Sequence, residues 1–404
     1  MKALDRFALV VDDWFDGEKR HAGVATMRVV AGRLADVAPG DHGDALRSQG
    51  WPVERVAFVM PGLVDAHVHL FLDGASTDAR LRSEHLKQSV TVLTEAARKS
   101  AAQALAHGVT QVRDAGDRHG INHRLREEAR TSEAAATQVR SAGLGVKRAQ
   151  RYGAFMAKDV GDLQSIRDSV RELALDSDEI KLILTGIIDF DAGAVTDEPQ
   201  FTLDEARMVV DTAHAAKRPV MAHCSGSRGL AIAARAGVDA IEHGFFMDAG
   251  TLAVMRDKDL AWTPTFTPLH FQWAHPEVAG WTAQTVGHLR RILDAHAEQL
   301  QLAHRMGVRL LLGTDSGSVG VEHGLAVFDE LDRFLEAGLP MAAALRAATA
   351  APRRHFGDAQ PLLAAGALFD AVQLAASPFA DPRALRELQR IWAGGRGPLR
   401  GTGP

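Results

Sequence analysis

The stretch PGLVDAHVHL, residues 61–70, decides how the chain is read. After the Pro-Gly turn it is a short β-type run that ends in two histidines two places apart. On a strand such residues point the same way, so His67 and His69 project together from its C-terminal end. Alone, a His-x-His pair arises by chance; its surroundings give it weight. Seven more apolar β-type runs follow: GVTQVRDAG (108–116), TQVRSAG (137–143), EIKLILTG (179–186), PVMAHCSG (219–226), VDAIEHG (238–244), AWTPTF (261–266) and VRLLLGTDSG (308–317). Helical patterns such as SVTVLTEAARKSAAQALAHG and TLDEARMVVDTAHAAK separate most of them. Strands that alternate with helices imply a parallel sheet of βα units. Eight such units in about 290 residues match a closed (β/α)8 TIM barrel, placed here at residues 61–354.

Outside this middle the pattern changes. FALVVDD, TMRVVAGRLADVAPG and WPVERVAFVMPG near the start, and LLAAGALFDAVQLAAS (362–377) near the end, read as short strands and turns. Neither end has enough strands to bury a core alone. Residues 1–60 and 355–404 are therefore expected to form one small β-sandwich domain together, giving an α/β chain with an appended β domain.

The 404 residues include 46 basic and 51 acidic side chains, a balance of −5 without the basic stripe that nucleic acid binding needs. Apolar runs stop well short of the roughly 20 residues of a membrane span. The N-terminal segment MKALDRFALVVDDWFDG lacks a long apolar core and a small-residue cleavage site, so no secretory signal is expected. The single cysteine, Cys224, excludes an internal disulfide and fits a reducing, cytoplasmic setting. The expected partner is a small-molecule substrate, with no nucleic acid and no membrane; a homo-oligomer stays open. Histidine is the unusual feature, with 18 residues against one tyrosine.

Four residues extend the His67/His69 pair. Lys181 lies in the apolar run EIKLILTG, where a bare ammonium is costly. His223 and His243 end the fifth and sixth runs, and Asp315 ends the eighth between glycines. All sit at or near the C-terminal ends of their strands, where barrel side chains can converge. Imidazoles and a carboxylate are ligands for zinc and similar divalent metals.

In order and spacing, PGLVDAHVHL, IKLILTG, MAHCSG, GVDAIEHG and GVRLLLGTDSG resemble the amidohydrolase superfamily of metal-dependent hydrolases, and within it the imidazolonepropionase-related and prolidase-like branch. The resemblance covers nearly the whole chain and implies a barrel with a small β domain. It implies two divalent metal ions, zinc first, with Mn2+ or Fe2+ as alternatives. His67, His69 and Asp315 would hold a buried metal, His223 and His243 an exposed one. Lys181, carboxylated by CO2 to a carbamate, would lie between them. The implied reaction is hydrolysis of a C–N amide bond in a small acyl-amino-acid-like, dipeptide-like or cyclic amide substrate, with Asp315 as proton shuttle. Two departures bear on substrate. Ser225 stands where many prolidase-like members have an aromatic residue, and GVKRAQRYGAF lacks a histidine often found after strand three.

Other residues carry two readings each. Lys147, Arg148, Arg151 and Tyr152 follow strand three and form either an anchor for a substrate carboxylate or a solvated loop. His270 and His323 lie in loops over the mouth as substrate contacts or structural residues. His288, His296 and His304 are spaced by eight on one helix, about 80° apart around it, and are expected at the surface. Cys224, beside His223 on a strand, should point into packing. Alternatives to the amide hydrolase are a mononuclear deaminase of a ring amidine, an ester or lactone hydrolase, and a metal-free scaffold on the same fold. Lys181 argues against the deaminase, and the complete ligand set argues against the scaffold.

Overall fold

The computed structural model describes residues 6–358 and 360–401. The chain opens with four strands, β1 (Arg6–Phe15), β2 (Arg20–Val30), β3 (Arg33–Pro39) and β4 (Val53–Pro61). The middle contributes β5 (Leu63–Val68), β6 (Val109–Asp114), β7 (Gln138–Ser141), β8 (Gly145–Lys147), β9 (Ala157–Asp159), β10 (Ile180–Ile183), β11 (Val220–Cys224), β12 (Ala240–His243), β13 (Ala261–Thr263) and β14 (Arg309–Leu310). The end returns to strands with β15 (Ala371–Leu374), β16 (Leu388–Ala393) and β17 (Arg396–Arg400).

The two ends share one seven-stranded sheet in the order β17-β16-β15-β4-β1-β2-β3. The seam between them is β4 with β15, where Phe58 lies opposite Leu374 and Pro61 opposite Ala371. The sheet then bends over itself. Backbone bonds Leu34 N to Ala367 O and Phe369 N to Gly32 O, both 2.9 Å, bring the β3 edge onto the chain leading into β15. At that contact a Cβ on Gly32 would sit 2.3 Å from the Gly395 carbonyl oxygen, so only glycine fits. Leu9, Val11, Met27, Leu34, Val59, Phe369 and Trp392 fill the enclosed space. The expected sandwich is thus a single curled sheet. Its other face, with Phe15, Phe58 and Met60, joins the main core.

The eight expected barrel runs coincide with β5, β6, β7, β10, β11, β12, β13 and β14. Their pairings are all parallel. The third barrel strand is split. β7 pairs with β6, and after a short break β8 takes over and pairs with β10 through Val146 and Leu182. β9 adds a further parallel neighbour to β8, within a segment expected to be loop. The barrel closes between the first and eighth strands, where Ala66 N bonds Leu312 O at 2.8 Å and Asp315 N bonds His67 O at 2.7 Å. Two candidate metal ligands thus meet across the seam. Among the described residues no helix is long and apolar enough to cross a membrane.

One surface expectation is corrected. On the helix Ala283–Met306, His296 is buried, at 2% exposure, while His288 and His304 are half-buried. A spacing of eight separates the histidines from one another, but it does not separate His296 from the apolar stripe. Ile292, Leu293, Leu300 and Ala303 are buried at helical spacings around it. The imidazole stacks on Phe245 with ring centres 4.0 Å apart and packs against Phe266 at 4.5 Å. Its Nε2 faces the Pro264 carbonyl at 3.1 Å.

Burial pushes the His296 pKa down to about 3. The unfolded chain takes up that proton near pH 6.5. Between these values the unfolded state binds more protons, so stability falls as the pH drops from about 6.5 toward about 3. His296→Leu should flatten this slope by up to about 1.4 kcal/mol per pH unit. Urea unfolding at pH 7 and pH 5 checks it; an unchanged slope would acquit His296 of any part in acid lability.

Candidate active site

The ends of the barrel strands bring six side chains to one mouth. His67 and His69 come from β5 and its end, Lys181 from β10, His223 from β11 and His243 from β12. Asp315 follows β14. Adjacent rings lie close, His67 to His69 at 5.6 Å, His67 to His243 at 4.9 Å and His223 to His243 at 4.5 Å between centres. The Nε2 atoms of His67 and His69 each stand 3.6 Å from Asp315 Oδ1. Two of the six have backbone that non-glycine residues rarely adopt: φ is +66° at His243 and +54° at Asp315. Such strain costs about 1–3 kcal/mol per residue and collects at functional sites. Here it turns each side chain inward where a regular strand would continue.

The outer hydrogen bonds fix which nitrogen faces the centre. Nδ1 of His67 donates to Glu242 Oε2 at 2.6 Å, and Nδ1 of His69 to the Gly116 carbonyl at 3.0 Å. Nδ1 of His243 donates to Thr265 Oγ1 at 2.8 Å, and the Thr265 hydroxyl passes its own proton to Pro264 O at 2.8 Å. Carboxylate, carbonyl and committed hydroxyl are all acceptors, so each Nδ1 carries the proton and each Nε2 keeps a free lone pair. Burial holds the rings neutral, and for His67, His69 and His223 the Lys181 charge adds to it. The pKa values of His69 and His223 fall to about 3, and those of His67 and His243 lie well below the ordinary value.

Nε2 of His67, Nε2 of His243 and Nζ of Lys181 are buried with no hydrogen-bond partner among the described residues. Buried polar atoms rarely go unmatched. Unprotonated imidazole nitrogens beside a carboxylate form a donor set that suits a divalent cation. His67, His69 and Asp315 have ligand atoms within 4.8 Å of one another, which suits one ion. Lys181 is fully buried, and burial lowers its pKa to about 8. Burial raises the Asp315 pKa above the usual carboxylate range, and the Lys181 charge partly offsets it.

A cavity of about 190 Å³ opens beside these groups. Tyr152, Ile187, Ile188, Phe190, Phe245 and Leu269 give it apolar walls, and His223, His243 and Asp315 form its inner end. Tyr152 reaches it, its ring 5.1 Å from that of His223. Burial raises the phenol pKa, so the hydroxyl stays protonated. The neighbours of Tyr152 do not reach it. Arg151 donates to the Glu198 carbonyl, Arg148 pairs with Glu205 and lies over Phe201, and Lys147 pairs with Asp159 at 2.5 Å. His270 stands on the helix Phe266–Ala274, not in a loop, and its Nε2 accepts from Arg333 at 2.7 Å. His323 is buried behind the mouth, with Nε2 facing the Leu72 carbonyl at 3.3 Å. Cys224 packs in the core as expected.

Sequence reasoning missed the charges beneath the ligands. Arg113 Nη2 donates to Glu242 Oε1 at 2.6 Å, and Arg113 Nη1 to Glu179 Oε2 at 3.2 Å. All three are buried. The signal existed, because Arg113, Glu179 and Glu242 interrupt or border apolar strand runs just as Lys181 does.

Residues 58–395 match the model of the amidohydrolase family. An uncharacterized protein of Mycobacterium tuberculosis is 27% identical over 371 residues, covering 91% of this chain and 90% of its own. Ochratoxinase of Aspergillus niger is 24% identical over 402 residues, covering 87% and 78%. Its crystal structure superposes with a TM-score of 0.81 over 99% of this chain and 96% of that one, at 20% identity. A putative prolidase from Bifidobacterium longum gives a TM-score of 0.81 at 25% identity, over 99% and 96%.

Glu242 both orients His67 and neutralises Arg113. Glu242→Gln keeps the shape and removes the charge. Partners of this kind typically contribute 10–100-fold to metal affinity. The variant should fold and bind Zn2+ about 10–100-fold more weakly, as measured by competition with a chromophoric chelator. Unchanged affinity would make Glu242 purely structural.

Proposed function

The chain belongs to the amidohydrolase family, and from that premise we propose that it hydrolyses a C–N amide bond in a small substrate with a binuclear metal centre. One observation carries the reading: four neutral imidazoles, a buried lysine and a carboxylate converge at the barrel mouth, with Nε2 of His67 and His243 and Nζ of Lys181 unpartnered among the described residues and Nε2 of His67 and His69 each 3.6 Å from Asp315 Oδ1. His67, His69 and Asp315 would hold one divalent ion, and His223 and His243 a second. Lys181 would join both as a carbamate. Its pKa near 8 leaves a useful neutral fraction to react with CO2, and its Nζ has no other partner to lose. Zinc suits this imidazole and carboxylate set; manganese and iron suit it as well. When bound, such ions lower the pKa of water and polarise a carbonyl.

The protein's own groups do the rest. The substrate carbonyl would enter the cavity beside Tyr152 and His223, where the protonated phenol can donate to it. Asp315 accepts a proton from water as the water oxygen bonds the acyl carbon. It then delivers that proton to the nitrogen as the C–N bond breaks. Ser318 Oγ, 3.1 Å from Asp315 Oδ2, steadies the carboxylate in this exchange. Apolar walls keep other water away from the reacting atoms.

Metal analysis of the purified protein tests the reading against its alternatives. Two equivalents per chain are expected; one would favour a mononuclear deaminase, and none a scaffold. Asp315→Asn should lower kcat on amide substrates by a factor of at least about 10² while the protein stays folded. Turnover near that of the wild type would remove Asp315 from the mechanism.

A further inference from the structure

Among the described residues, most cations around the cavity are already paired with groups of this chain. Lys147 is paired with Asp159, and Arg148 with Glu205. Arg151 is spent on the Glu198 carbonyl. Arg82, whose charge reaches Asp315, donates to the carbonyls of Asp73 and Gly317. Arg333 turns to His270 and Glu336. The cavity beside the ligands has no lysine or arginine in its wall. A second cavity, of about 300 Å³, adjoins it through Ser225. There Arg228 meets two carboxylates, Asp197 and Glu198, and it is ion-paired with Glu198. An incoming carboxylate would thus face bare apolar wall on one side and an acidic excess on the other.

The same walls offer much to an uncharged group. Ile187, Ile188, Phe190, Phe245, Pro268 and Leu269 surround the space. Ile187 is 60% exposed, an aliphatic side chain left at the rim with little of this chain to cover it. Phe190 is braced edge-on by Trp281, with ring centres 5.6 Å apart, so the wall is firm.

We propose that this enzyme acts on neutral amides, and that the cavity takes an aryl or branched-alkyl substituent of the substrate rather than a free carboxylate. The inference rests on the amide-hydrolase reading and narrows it. The chemistry balances without a further reactant. The water oxygen bonds the acyl carbon, the C–N electron pair leaves on nitrogen, and nitrogen takes up the proton; nothing is oxidised or reduced. Discrimination follows from solvation, because burying a carboxylate without a partner is far costlier than burying a phenyl or alkyl group.

Two substrate pairs that differ in charge test it on the metal-loaded protein: acetanilide against 4-acetamidobenzoate, and N-benzoylglycinamide against N-benzoylglycine. The neutral member should have a kcat/KM at least about tenfold higher and should bind more tightly by calorimetry. Ile187→Arg places a cation at an exposed rim position that does not threaten folding. It should move the neutral-to-anionic ratio at least about tenfold toward the carboxylate. The ratio is taken within one preparation, so a partly inactive sample does not disturb it. Equal or better handling of the carboxylates would overturn the inference and leave amide hydrolysis standing. Turnover of none of the four compounds would count against amide hydrolysis, while calorimetry would still decide the inference. Tighter neutral binding would support it; equal affinity, or no binding of either member, would overturn it.

Discussion

Arg113 is buried with no exposure to solvent. Its guanidinium cannot shed its charge, so the barrel must be built around it. Carboxylates of Glu179 and Glu242 answer the charge, and Arg113 also donates to the Ala66 carbonyl at 2.6 Å and the Thr263 hydroxyl at 3.2 Å. These contacts tie β6 to β5, β12, β13 and the residue before β10. Removing one partner of a buried pair typically costs about 3–5 kcal/mol, because the other charge is left stranded. The network therefore fixes how the strands stand relative to one another. Through Glu242 it also fixes the ring of His67, and so one edge of the candidate site.

Above this level, at the C-terminal ends of the strands, the site tolerates backbone strain. Asp65, at the foot of the mouth, accepts from the Thr314 hydroxyl at 2.6 Å and the Thr314 backbone at 3.0 Å. That holds the chain next to Asp315, which then turns through a left-handed residue. Thr265, which receives the His243 proton, is left-handed too, with φ of +52°. The unfavourable backbone sits where the side chains must converge, and satisfied polar groups brace it from behind.

Much of this was legible in the sequence. The eight barrel strands are marked by apolar β-type runs separated by helical stretches, and the six converging side chains stand within or at the C-terminal ends of such runs. Periodicity and strand-end position are local properties, so a sequence carries them. What it did not carry was direction. Arg148 and Arg151 lie in the expected stretch, yet they turn toward Glu205 and the Glu198 carbonyl, because partners more than 45 residues away lie nearer than the mouth. The spacing of His288, His296 and His304 relative to one another does not show which of them joins the apolar stripe of the helix. Arg113 and Glu242 stand in apolar strand runs, but their pairing depends on strands far apart in sequence.

The sheet built from both chain ends sets a timetable for synthesis. β4 leaves the ribosome early, but its partner β15 is about 310 residues behind it. At ordinary elongation rates of about 5–20 residues per second, that edge waits roughly 15–60 s for its neighbour. During that interval Phe58 and Met60, which belong to the shared core, have neither β15 nor a finished barrel to cover them. An open apolar strand edge is a template for pairing with other chains. Native pairing of β4 with β15 is thus the step that ends this exposure, and it becomes possible only after the whole barrel between them has been made.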